Sequence, residues 1–269
     1  MNISKIILYD EPSVPEIQIN KLKKFISDYI HTDVIIRNNL FNNANEKIIE
    51  KISKCRIFDI KSPFKEHNPT EEELQFEKVY CNNTKIMEGT KTPETAKQIS
   101  EIIMYDGFEI RNVLESLIPK EELVNDILHI IFTNKLTCTY DQNDFRYHGR
   151  AVICSNPSII STAGMVEAPG KSREYCFDIM KAKSLGSDLE SIKKQYQNEF
   201  LDYHDERTSK IAEGYLLQAI FYNLTGEAFC ESLDCRLNNA HWQKDLLYSQ
   251  LEFGKLCEKH QLVLEKLYL

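Results

Sequence analysis

Apolar positions recur along this chain with two periods, and these separate short extended segments from helices. KIILYDEP (5–12) is a bulky apolar run closed by acids and a proline, the pattern of a buried strand followed by a turn. From Pro15 to Ile30, the residues Ile17, Ile19, Leu22, Phe25, Ile26 and Tyr29 fall on one face at helical spacing. DVIIRNN (33–39) is strand-like again, NANEKIIEKISK (43–54) reads as a short helix and CRIFDIK (55–61) as a third strand. Strand, helix and strand at these intervals predict a βαβ unit and a mostly parallel sheet. PTEEELQFEKVY (69–80) predicts a further helix, with Thr70 as N-cap and acids in a first turn whose backbone N–H groups lack partners.

Between Thr92 and Asn125 the spacing predicts helices in TAKQISEIIMY (95–105), RNVLESLI (111–118) and KEELVND (120–126). LHIIFTNKL (128–136) is the strongest strand of the chain and RAVICS (150–155) a second, with the polar, turn-rich stretch from Asp141 to Gly149 between them. Residues 155–175, rich in Ser, Pro and Gly, predict an ordered loop or irregular edge strand. Helical stretches follow at about 186–200 and 207–224. No repeat or low-complexity run interrupts the chain. A single α/β (α+β) domain over 1–269 is expected: a twisted mixed sheet with flanking helices. Its N-terminal βαβ part ends near residue 92, a middle part spans about 93–229, and 230–269 form a C-terminal segment.

Composition narrows the function classes. Apolar residues make up 42% and charged residues 28%, the balance of a globular protein. No apolar run approaches the ~20 residues that span a bilayer. The start, MNISKIILYDEPS, reaches acid too early for a secretory leader. A cytoplasmic protein without membrane contact is therefore expected. With 41 acids against 33 bases the net charge is −8, which argues against nucleic acid as a partner. In a reducing compartment the eight cysteines are expected to be thiols or metal ligands. Cys55, Cys81, Cys138, Cys154 and Cys176 stand singly and suit core positions.

The other three cysteines are grouped. Cys230-x4-Cys235 and, later, Cys257-x2-His260 supply four soft or borderline ligands in two close pairs. Each pair can grip a Zn²⁺ from one side, which gives a closed tetrahedral Cys3His site of structural type, one zinc per chain. Three core thiols and a surface histidine are the alternative, but paired spacing at both ends is hard to obtain from packing alone. His241, beside the only tryptophan (Trp242), can stand in for His260 as the fourth ligand.

Gly226-x3-Cys230-x4-Cys235 with a distal Cys-x2-His pair resembles the end of archaemetzincins, a family of zinc metallopeptidases. The chain as a whole also resembles an archaeal family labelled as metallopeptidases. In archaemetzincins, HExxHxxGxxHC carries three catalytic zinc ligands and a general base, and cysteines hold a second, structural zinc. With Gly226 and Cys230 in register the motif falls on AIFYNLTGEAFC (219–230). The three histidine positions hold Ala219, Asn223 and Phe229, and the glutamate position holds Ile220. A catalytic zinc needs three protein ligands and a bound water; Ala, Ile and Phe bind no metal, and Asn is a poor ligand beside imidazole. The resemblance therefore implies a metzincin-like fold closed by a structural zinc knuckle, with the peptidase chemistry lost. Such a pseudoenzyme would keep its groove and bind a peptide or protein by strand addition. The helix itself keeps Ile211, Tyr215, Ala219 and Tyr222 at helical spacing, with Thr208 or Asp205 to cap its start and Gly226 for the left-handed end.

A relocated site would give a different function, a metal-dependent hydrolase. Asp202, His204, Asp205 and Glu206 form a carboxylate–imidazole cluster, which also suits a solvated loop with an N-cap. His148, Arg150, Glu167, Arg173 and His204 are candidates to line a cleft, in which His148, His204 and nearby carboxylates would act. A nucleophilic Cys154 or Cys176 has no supporting spacing. No GxGxxG, GxxxxGK[ST] or GxSxG occurs, so dinucleotide, P-loop and α/β-hydrolase functions have no support. A purely structural role for the zinc protein is the third possibility.

Overall fold

The computed structural model describes residues 3–42, 44–82 and 102–268. β1 (Lys5–Tyr9), β2 (Asp33–Arg37), β4 (Ile127–Thr133), β8 (Ser158–Ser161) and β7 (Val152–Ile153) form one sheet in the order β2-β1-β4-β8-β7. All pairs are parallel except β7 with β8, so β7 is an antiparallel edge strand. The β1–β2 crossover runs through α1 (Ile19–Tyr29), as the βαβ pattern predicts.

The apolar runs of β1 and β4 serve two cores, because a strand points alternate side chains to opposite faces. Ile6, Leu8, Ile130 and Phe132 pack on one face under α1 and α8 (Thr208–Thr225). Ile7, Tyr9 and Ile131 pack on the other under α2 (Glu46–Lys54) and α4 (Gly107–Glu115). α8 is apolar nearly all round, with 13 of its 18 residues buried, which makes it the central helix rather than an amphipathic surface one. Its end is fixed by Gly226 at φ +83°, a left-handed position that Gly occupies without the Cβ penalty.

A second sheet, in the order β3-β5-β6, joins β3 (Met104–Asp106) parallel to β5 (Leu136–Asp141) and β5 antiparallel to β6 (Arg146–Arg150). α3 (Glu71–Asn82) starts as its sequence predicts, in a reciprocal capping box. Thr70 Oγ1 accepts from Glu73 N at 3.3 Å, and Thr70 N donates to Glu73 Oε2 at 2.7 Å. The fully buried Glu77 of α3 is held by Arg56 and Lys135.

Several expectations are corrected. Residues 55–61 form no strand; Arg56 makes one isolated bridge to Tyr105, and Arg56 is instead drawn in by Glu77. The helix expected over 95–105 lies mostly outside the described residues, and its last positions belong to β3. The connector 141–149 is the turn and second strand of the β5–β6 hairpin. The ordered loop or irregular edge strand expected at 155–175 contains an interior strand, β8, and α5 (Thr162–Glu167). Serine disguised this strand: Ser161 Oγ donates to Lys135 O at 2.6 Å and accepts from Gly164 N at 2.8 Å, so a hydroxyl is buried at no unpaired cost. The helix expected at about 186–200 is shorter, α7 (Leu189–Gln195), and an unexpected helix, α6 (Arg173–Leu185), precedes it, ended by Gly186 at φ +65°.

Candidate metal centre and groove

Just past α8 the chain turns back on itself and sets its first two cysteines side by side. Cys230 N donates to Leu237 O at 2.8 Å, and Asn238 N donates to Cys235 O at 2.9 Å. Leu237 N points at Cys235 Sγ at 3.4 Å, so a backbone dipole is aimed at the sulfur. Cys257 lies immediately before α10 (Glu258–Tyr268), and its carbonyl accepts from His260 N and Gln261 N, both at 3.0 Å. Three positions on, His260 falls on the same side of the helix start.

These two pairs converge. The ligand atoms of Cys230, Cys235, Cys257 and His260 all lie within 4.8 Å of one another. His260 Nδ1 is 3.0 Å from Cys257 Sγ and 3.6 Å from Cys235 Sγ. A tetrahedral ion with metal–sulfur bonds near 2.3 Å and a metal–nitrogen bond near 2.0 Å would set S···N at about 3.6 Å and S···S at about 3.8 Å. The donor set therefore fits a metal once individual ligand atoms shift by up to about an ångström. Cys235 and His260 are buried, while Cys230 and Cys257 are half-buried, and the Phe221 ring meets His260 edge-on at 5.4 Å. Burial pushes the Cys235 thiol up to about 12 and pulls the His260 imidazole below its ordinary value. A neutral imidazole is a competent ligand as it stands. Thiolates in such a place need a cation, whose charge reverses the cost of their ionisation.

A buried clasp ties this turn to α8. Arg236, fully buried next to Cys235, donates to Glu213 Oε2 (2.6 Å), Lys210 O (3.0 Å) and Gln250 O (3.1 Å). Asn238 Nδ2 reaches the carbonyls of Cys230 (3.3 Å) and Ser232 (3.1 Å), while its own carbonyl accepts from Gln218 Nε2 of α8 at 3.0 Å. Gly214 exists because of this packing: a Cβ there would sit 1.8 Å from Gln250 Oε1. None of these contacts has a periodicity that sequence reading can detect.

Asn238 is also the wall between the metal centre and a groove of about 350 Å³. Its other walls are Arg150 at the end of β6, Val152 and Ile153 of the edge strand β7, Tyr215 and Gln218 of α8, and Phe229 just before Cys230. Of the four positions where the family resemblance places the peptidase motif, Phe229 lines this groove. Ala219 and Ile220 are fully buried in the core. Asn223 Nδ2 is spent on Ser155 O (3.2 Å) and Ala219 O (2.8 Å), and Phe229 stands 45% exposed on the rim.

The remaining candidates disperse. His241 lines the groove, and the group whose ligand atoms converge contains His260 in its place. Of the five residues expected in one cleft, Arg150 lines this groove, while Glu167, Arg173 and His204 line three other depressions. His148 instead bonds Asp144 at 2.8 Å in the β5–β6 hairpin. His148, Asp141 and Asp144 form the second group of metal-ligating type among the described residues, and His204 does not belong to it. His204 meets Glu16 at 3.1 Å, and Asp205 pairs with Arg207 at 2.6 Å, as a helix-start loop would. The carboxylates of the hairpin escaped sequence reading because the stretch looked like a connector. Burial holds the Cys154 thiol at about 12, which is no nucleophile. The seven cysteines among the described residues are all free. Among the described residues no helix is long and apolar enough to cross a membrane.

Residues 2–267 match the Probable metallopeptidase family (DUF6775), and the chain belongs to that family. No curated protein and no solved structure matches it.

Proposed function

We propose that this member of a metallopeptidase family is a zinc-binding relative of the archaemetzincins that has given up peptide hydrolysis and kept peptide binding. In this reading one structural zinc is held by Cys230, Cys235, Cys257 and His260, and the protein works in the reducing cytoplasm. The groove beside α8 takes an extended peptide or protein segment, which adds to the edge strand β7. The observation that carries it is the pairing of a groove of about 350 Å³ with a motif whose metal positions hold Ala219, Asn223 and Phe229. Three thiols and an imidazole with no open coordination position suit a closed zinc, which organises the chain without chemistry. β7 is the last strand of its sheet, and such an edge offers backbone groups for pairing.

Elemental mass spectrometry on untagged protein tests the first half. One zinc per chain in the parent and none in a Cys230→Ser/Cys257→Ser variant is expected; no zinc in the parent overturns the reading. For the second half, the zinc-loaded protein should bind extended peptides and leave them intact on prolonged incubation. Cleavage that survives removal of trace proteases would restore the enzyme reading.

The second reading is a hydrolase with a relocated metal. It draws support from Asp141, Asp144 and His148, whose ligand atoms also lie within 4.8 Å of one another. Two metals per chain, one of them lost in His148→Ala and retained in the double cysteine variant, would favour it.

A further inference from the structure

The groove beside α8 carries a charge signature that the proposed peptide-binding role leaves unexplained. In a chain of net charge −8, the one lining residue with a formal charge is a cation, Arg150, among the described residues. Its Nε is fixed on Thr139 Oγ1 at 2.7 Å, which spreads the guanidinium across the β5–β6 pair. No carboxylate lies within 4.0 Å of that guanidinium among the described residues, although Arg236 beside the metal centre and Arg207 at the start of α8 are both paired. A half-buried guanidinium held in place and left without an anion is the arrangement that takes a carboxylate from outside, by two parallel N–H···O bonds.

A second polar group is prepared in the same groove. Gln218 lines it, is only 1% exposed, and is anchored through Nε2 to Asn238 O, while its Oε1 has no hydrogen-bond partner. An orphaned buried acceptor is costly; Oε1 has almost no accessible surface, so a peptide N–H satisfies it once the Gln218 amide turns toward the groove. The rest of the lining is largely apolar and aromatic, with Val152, Ile153, Tyr215 and Phe229.

We propose that the groove selects an extended peptide segment bearing an aspartate or glutamate side chain. The carboxylate is received by Arg150, a main-chain N–H of the peptide is accepted by Gln218 Oε1, and neighbouring apolar side chains rest on Phe229 and Tyr215. β7 is two residues long and can contribute little ladder pairing, so the charge contact dominates selection. This inference rests on the peptide-binding reading of the same groove.

The test uses the full-length, zinc-loaded protein and a set of N-acetylated, C-amidated hexapeptides. These alternate β-branched residues with one central position varied over all twenty amino acids, and binding is read by fluorescence anisotropy. Glu and Asp peptides should bind about tenfold more tightly than their Gln and Asn isosteres, the scale of a hydrogen bond to a charged group. Arg150→Gln should erase that ratio, Arg150→Glu should turn preference toward Lys, and Arg150→Lys should retain a weakened preference for acid. Melting temperatures of the three variants near that of the parent establish that the groove wall is intact. Equal binding of Glu and Gln peptides by the parent, or a ratio that survives in a folded Arg150→Gln protein, overturns the selectivity and leaves the groove as a peptide site. Preference for free over amidated C-termini, indifferent to the central residue, also overturns it. Failure of the parent to bind any peptide overturns the groove reading itself.

Discussion

Replacing Arg236 with methionine should destabilise the protein more than almost any other single change near the metal centre. Its guanidinium is fully buried, bonded to Glu213 at 2.6 Å and to the carbonyls of Lys210 and Gln250, and it lies 5.3 Å from the centre of the Phe25 ring. Methionine fills most of the volume and supplies no donor, so the half-buried Glu213 carboxylate loses one of its two cations and two carbonyls lose a donor. Removing one member of a buried pair costs about 3–5 kcal/mol. Lys210 Nζ still reaches Glu213 at 2.7 Å, but its side chain is half in solvent, which favours the lower half of that range. Unfolding entropy of roughly 2.1 cal/mol/K per residue over 269 residues gives about 0.56 kcal/mol/K at the midpoint. The expected loss in melting temperature is therefore about 5–7 °C, read by circular dichroism at a fixed excess of zinc so that ligand linkage does not vary. Glu213→Leu combined with Arg236→Met should recover much of the loss, because an apolar pair of similar volume leaves no uncompensated charge. A single-variant shift below about 2 °C would refute the idea that this arginine clasps the cysteine turn to α8.

Other expectations follow from the same coordinates. His129 is fully buried, with Nε2 donating to Glu122 O at 3.0 Å and Nδ1 accepting from Tyr9 Oη at 3.1 Å. Burial holds its pKa below the ordinary value, so its contribution to stability is present above the unfolded pKa near 6.5 and is lost as pH falls through the folded value. His129→Gln should flatten the stability-versus-pH slope below pH 6.5 by at most about 1.4 kcal/mol per pH unit, measured by denaturant titration across pH. Gly164→Ala would put a Cβ 2.1 Å from the Arg150 carbonyl oxygen, where backbone cannot yield; about 1–3 kcal/mol of destabilisation is expected in urea unfolding. At Gly226 nothing lies within 4 Å of an added Cβ, so Gly226→Ala should cost only the left-handed strain, about 1 kcal/mol, and an unchanged melting temperature would contradict the αL assignment.

Much of the frame was legible before any coordinates. β1 and β4 are continuous runs of β-branched and bulky residues, and a strand buried on both faces produces that pattern whatever surrounds it. α3 announced itself through Thr70 and Glu73, and α8 ended where Gly226 allowed a left-handed residue. The metal ligands were legible because chelation by a turn and by a helix start fixes sequence spacing within each pair. β8 was not, since its serines are satisfied only by backbone groups that another strand brings. Nor was the failed strand at 55–61, whose Arg56 is claimed by Glu77 from a helix 21 residues away.

The division between sequence and tertiary structure follows range of interaction. Local spacing determined that Cys230 could act with Cys235, and Cys257 with His260, because each pair spans one turn of chain. That the two pairs meet, with His260 beside them, follows from the tertiary packing, in which Arg236 and Asn238 fasten the cysteine turn to α8. The sequence likewise showed that the positions aligned with a peptidase motif hold no usable ligands. Only packing showed that Ala219 and Ile220 sank into the core while Arg150, Gln218 and Phe229 came to surround an open groove. The residue type at a position can be read one residue at a time, but a surface depends on which distant residues the fold makes neighbours.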